Sequence, residues 1–126
     1  MKKQLDSVKE FHKTYKLGYN LKPSVNLGYD KNKLRYNLME EENNEYLNAA
    51  NDNDMVEVAD ALGDMLYILC GTILEHGMQD IIEPIFDEIQ RSNMSKLDVD
   101  GNPILRNDGK VLKGPNYFKP NFEKFF

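Results

Sequence analysis

"MVEVADALGDMLYILCGTILE", residues 55–75, decides how this chain folds. Apolar side chains run nearly all round it, with Val56, Val58, Ala59, Ala61, Leu62, Met65, Leu66, Ile68 and Leu69 in close succession. It stops at His76-Gly77, a helix-ending pair. That pattern predicts a helix buried on most sides, the central element of an all-α protein. Three acids nevertheless sit inside it: Glu57, Asp60 and Asp64. At 100° per residue they fall within about 60° of one another.

Working outward, "NDND" at Asn51–Asp54 breaks the chain and offers Asp54 as an N-cap. Before it, a helix is expected from about Lys31 to Ala50, with Leu34, Leu38, Glu42, Glu45 and Ala49 on adjoining faces. The short connection makes these two helices an antiparallel pair. A first helix carries Leu5, Val8, Phe11, His12 and Tyr15 at helical spacing and closes at Gly18. Residues 18–30 read as a loop. A fourth helix is expected over about Met78–Arg91, from the stripe Ile81, Ile82, Ile85, Phe86 and Ile89. Beyond Asn93 the helical periodicity ends. "RNDGK", set between "PIL" and "VL", predicts a small β-hairpin with Asn107-Asp108-Gly109 near its tip, followed by an extended aromatic and basic tail. The expected fold is therefore a helical bundle of four main helices with a small C-terminal β-hairpin and extended tail, forming one domain over residues 1–126.

The chain has 126 residues and a net charge of −5, from 21 acids and 16 bases. An acidic balance argues against a duplex nucleic-acid binder. No apolar run is long enough for a membrane span, and the charged N-terminus, "MKKQLDSVKEF", reads as no secretory leader. The lone Cys70 is expected in the core, which suits a reducing, cytoplasmic setting.

The acids carry the chemistry. Glu42 and Glu45 lie one turn apart, and Glu41 is a neighbour of Glu45. Facing Glu57, Asp60 and Asp64 across an antiparallel pair, they would repel strongly in a low-dielectric groove unless a cation compensated. Residues 37–90 contain no Lys or Arg to do so. Oxygen-only ligands suit Mg²⁺, with Mn²⁺ as the alternative, rather than zinc. A di-iron carboxylate bundle would need Glu-x-x-His spacing, which neither His12 nor His76 provides. "GKVLKG" lacks the Walker A pattern, and "DVDGN" lacks the later Glu of a calcium loop. No nucleophilic triad is readable. A polyanionic ligand bound through such a cation would need further positive groups. Lys96, Arg106, Lys110 and Lys113 offer them, with Asn93 one turn before Lys96. Phe11, His12 and Tyr15, about one turn apart, offer a wall and an edge contact for a base.

Glu41-Glu42-x-x-Glu45 followed by Glu57-x-x-Asp60 resembles the EExxE…ExxD signature of the all-α nucleoside triphosphate pyrophosphatases. These comprise MazG-like, dimeric dUTPase-like and phosphoribosyl-ATP pyrophosphohydrolase-like proteins. "NMSK", "DGK" and "GPNYF" are similar to segments of a phage-type nucleotide pyrophosphohydrolase subgroup. The resemblance implies Mg²⁺-dependent hydrolysis of an NTP or dNTP to the monophosphate and pyrophosphate by a homodimer or homotetramer. It assigns Glu42, Glu45, Glu57 and Asp60 to the metal, and Glu41 to a further ligand or to orienting water. Asp64 lies outside the core signature and is expected to serve a second metal, hold a ligand, or cap a lysine of another subunit. With Glu41 and Glu42 as the catalytic pair, the expected substrate is dATP or dGTP. The alternatives are phosphoribosyl-ATP as substrate, or a non-catalytic helical interaction module.

Overall fold

The computed structural model describes residues 1–126, which form four α-helices and no strand. They are α1 (Lys2–Thr14), α2 (Tyr29–Asn51), α3 (Met55–Glu75) and α4 (Ile82–Met94), followed by a short 3-10 turn at Glu123–Phe125. The chain divides into two compact units, Met1–Asp80 and Ile81–Phe126.

In the first unit α3 packs against both α2 and α1. The buried apolar side chains all lie here: Leu5 and Val8 of α1, Ala49 of α2, and Ala61, Cys70, Ile73 and Leu74 of α3. Cys70 is fully buried, as its apolar neighbours predict. All three helices end in the same way. A residue with positive φ follows the C-cap (Lys16, Asn53 or Gly77), and the next amide reaches back to the helix: Leu17 N to His12 O, Asp54 N to Ala49 O, Met78 N to Ile73 O. This satisfies carbonyls that would otherwise lack partners and turns the chain sharply. At Gly77 glycine is required twice over, because φ is +69° and a Cβ would strike the carbonyl of Lys22. Asp54 closes α2 and also starts α3, its carboxylate accepting from Val56 N at 3.0 Å and Glu57 N at 3.2 Å. The expected N-cap is thus in place, and the antiparallel hairpin of α2 and α3 turns within three residues. The loop after α1 is tied to the end of α3 by Asn20 N to Leu74 O, Asn20 Nδ2 to Glu75 O and His76 Nδ1 to Ser24 O.

Two expectations about the helices need correction. α3 is apolar nearly all round, yet Met55, Leu62, Leu66 and Leu69 remain exposed, because only α1 and α2 pack on it in this unit. α4 begins at Ile82, not near Met78, since Met78 is used in closing α3. The later start also leaves Pro84 in the first turn, where its missing N–H does no harm.

The second unit is held by polar contacts. Its buried residues are Glu88 and Ser92 of α4. Ser92 Oγ donates to Phe118 O at 2.8 Å, Phe118 N donates to Ser95 Oγ at 3.1 Å, and the Arg91 guanidinium lies over the Phe118 ring. Glu88 accepts from Arg91 Nε and Nη2, Asn121 N and Lys124 Nζ. The tail is therefore fastened to α4. The expected β-hairpin does not form: a single antiparallel bridge joins Leu105 to Val111 around the turn at Arg106–Gly109. Pro103 and Gly114 flank arms of only a few residues, too short and too exposed to sustain a two-stranded ladder.

Candidate active site

The α2–α3 hairpin brings the acids to one seam. Glu42 is half-buried, and its Oε2 is shielded from solvent with no hydrogen-bond partner. Burial pushes its carboxyl above the usual range, and Glu45, Asp64, Asp60 and Glu41 push it further in the same direction. These four neighbours are acids that the spacing on the two helices predicts to converge. Nearer the connection, Glu45 and Glu57 line one acidic depression together with Asp52 and Asp54. No three of the acids are gathered closely enough to enclose an ion. Like charges lacking a counter-charge repel, and no Lys or Arg occurs between residues 37 and 90. The donor set is all carboxylate, with one buried oxygen unsatisfied. Oxygen-only donors of this kind match the ligand preference of a hard divalent cation.

The base-binding candidates are divided. Phe11 and Tyr15 are exposed, with their rings tilted at 39° and centroids 4.4 Å apart, and Phe11 meets the edge of Tyr67 at 5.5 Å. Tyr67 also lines a mostly apolar groove of about 170 Å³ between α1 and α3, with Val8, Leu66 and Cys70. Burial, and then Tyr15, raise the Tyr67 hydroxyl's pKa. His12 is turned the other way. It is 2% exposed, and its Nδ1 donates to Gly18 O at 2.7 Å. The structure thus does not bring it to the surface with Phe11 and Tyr15. Tyr67 was legible only as one aromatic within an apolar helix and escaped notice.

The phosphate-binding candidates lie in the second unit. Asn93 and Lys96 close α4, with Lys96 N donating to Asn93 O. Lys110 follows the Arg106–Gly109 turn, and Lys113 lies over the Tyr117 ring at 4.6 Å. Arg106 is held by both carboxylate oxygens of Asp108.

Sequence reasoning also missed a buried cluster in the first unit. Arg35 of α2 donates through Nε to Thr72 Oγ1 and through Nη2 to Ile68 O. Lys31 pairs at 2.6 Å with Glu75, which is buried. Burial lowers the Arg35 pKa, and Glu75 partly offsets this. No local signal marked these residues, because the partners lie far apart in sequence.

A four-helix, all-α chain with opposed carboxylates on its two longest helices defines the class: the MazG-like, all-α nucleoside triphosphate pyrophosphatases. The phosphoribosyl-ATP pyrophosphohydrolase family matches residues 8–93, and the chain belongs to that family. No curated protein matches it. The protein is accordingly an enzyme that hydrolyses a pyrophosphate bond in a nucleotide-type substrate.

Proposed function

We propose that this enzyme hydrolyses a deoxynucleoside triphosphate, dATP or dGTP, to the monophosphate and pyrophosphate with Mg²⁺ bound by its acids. The observation that carries this reading is Glu42: a half-buried carboxylate with one shielded, unpartnered oxygen, pressed by Glu45, Asp64, Asp60 and Glu41. Glu42, Glu45, Glu57 and Asp60 would hold the cation, with Asp64 one turn further along α3 as an added or supporting ligand. When bound, Mg²⁺ or Mn²⁺ supplies charge neutralisation and a more acidic water. Glu41 orients the attacking water. Lys96, Lys110 and Lys113 are the proposed source of positive charge for the phosphates, with Asn93 as a proposed hydrogen-bonding group. Phe11, Tyr15 and Tyr67 provide the apolar wall for the base.

The family match favours a second reading, phosphoribosyl-ATP as the substrate. Both reactions release pyrophosphate. A release assay with Mg²⁺ across the four dNTPs, the NTPs and phosphoribosyl-ATP separates them. The highest kcat/KM on dATP or dGTP supports the proposal, whereas a preference for phosphoribosyl-ATP replaces it. We further propose a homodimer or homotetramer, supported by the exposed apolar stripe of α3. A cytoplasmic setting is supported by the buried free thiol of Cys70. No helix is long and apolar enough to cross a membrane.

A further inference from the structure

Arg35 sits on the same face of α2 as Glu42, two turns and about 10 Å before it. Its two acceptors, Ile68 O and Thr72 Oγ1, continue the Asp64 face of α3 at four-residue steps. Thr72 Oγ1 itself donates to Ile68 O at 2.9 Å, so one α3 carbonyl gathers both donors. The guanidinium therefore bridges the α2–α3 seam, two turns from Glu42 along α2 and one to two turns from Asp64 along α3. Gly71 makes room for it: a Cβ there would lie 2.8 Å from Arg35 Nη2 and 2.9 Å from His12 Nε2.

We propose that Arg35 is a positioning residue, a pin that fixes the axial register of α2 against α3 and so sets the spacing between Glu42 and Glu45 on one side and Asp60 and Asp64 on the other. This rests on the reading that those acids bind a divalent cation. Helices carrying mutually repelling carboxylates drift apart or slide unless something ties them. The apolar contacts of the seam are non-directional and resist sliding weakly. A planar fork that spans two fixed acceptors is directional, and it cannot be satisfied after a shift of one residue.

The test uses Mn²⁺ alone, with binding read from the loss of free-ion EPR signal, on the full chain without nucleotide. Arg35→Met keeps the length and removes the fork. Gly71→Ala keeps the charge and displaces the fork, and it serves as the second variant should Arg35→Met fail to fold. Ile73→Val, which trims the α3 interior, controls for lost stability. The pin predicts Mn²⁺ binding about tenfold weaker in Arg35→Met, the scale seen when a group that orients metal ligands is lost. Gly71→Ala moves the same way, and Ile73→Val is unchanged. An electrostatic role predicts the opposite sign, since removing a positive charge favours a cation. Wild-type affinity or tighter binding in folded Arg35→Met overturns the pin while leaving the metal reading intact. So does equal weakening in Ile73→Val. Absence of Mn²⁺ binding by the wild type overturns the metal reading, and the pin with it.

Discussion

Glu45→Gln and Asp60→Asn each remove one carboxylate charge with little change of shape. If the seam holds Mg²⁺, either substitution abolishes turnover while circular dichroism shows an intact fold. Each also relieves repulsion, so the metal-free variant melts at or above the wild-type temperature. In the wild type, added Mg²⁺ raises Tm by mass action. Full activity of Glu45→Gln, or wild-type activity in excess EDTA, removes the metal from the mechanism. Glu88 makes a separate prediction at the same scale. The Arg91 guanidinium, the Asn121 amide and the Lys124 ammonium hold its carboxyl well below the usual range. A depressed folded-state pKa adds stability that is fully present above the unfolded value of 4.5 and is lost as pH falls through the folded value. The Tm gap between wild type and Glu88→Gln is therefore widest near neutral pH and narrows below about pH 4.5. A gap independent of pH would mean that Glu88 acts by packing and not as a charge.

At the scale of elements, the turn between α2 and α3 is where local chemistry is densest. Asp54 caps two amides of α3 while its own amide closes α2. Asp54→Ala keeps the backbone bond and loses both caps, so it lowers stability by about 1 kcal/mol in denaturant melts. Asp54→Asn, which preserves the acceptor, restores most of it. No loss in the alanine variant would show that the α2 closure alone holds the turn. The helices themselves were legible to within a few residues, because their apolar spacing and their stop signals lie inside each segment. α4 was the exception. Its stripe extends back to Ile81, but the chain is still finishing α3 at Met78, a constraint that belongs to the preceding helix. The hairpin failed for a related reason. Turn residues at Arg106–Gly109 fix a reversal, and Leu105 and Val111 pair across it, but strands need a neighbour to extend against.

For the whole molecule, α3 poses the clearest question. Met55, Leu62, Leu66 and Leu69 form one stripe, roughly opposite the acids, and are 76%, 50%, 44% and 42% exposed. Fully burying a leucine gains about 1.5–3 kcal/mol, so covering this stripe offers a substantial drive for association. A second copy of the chain is the proposed cover. Light scattering coupled to size exclusion should give a dimer or tetramer, and Leu66→Glu together with Leu69→Glu should shift it to the monomer. A wild type that elutes as a monomer at assay concentrations rejects a homo-oligomer.

The sequence by itself determined the all-α class, the two central helices and the set of acids on them. Each is a periodic pattern within a contiguous stretch, and helix geometry converts that pattern directly into a face. Only the tertiary structure decided which groups those faces meet. It turned His12 inward to Gly18 and left Phe11 beside Tyr67. It joined Arg35 to Ile68 and Thr72, 33 and 37 residues away, and Glu88 to Lys124, 36 residues away. Such partners share no local spacing. Their meeting depends on the path of the chain between them, and burial then makes each pairing obligatory, because a buried charge left alone is far more costly than one that is matched.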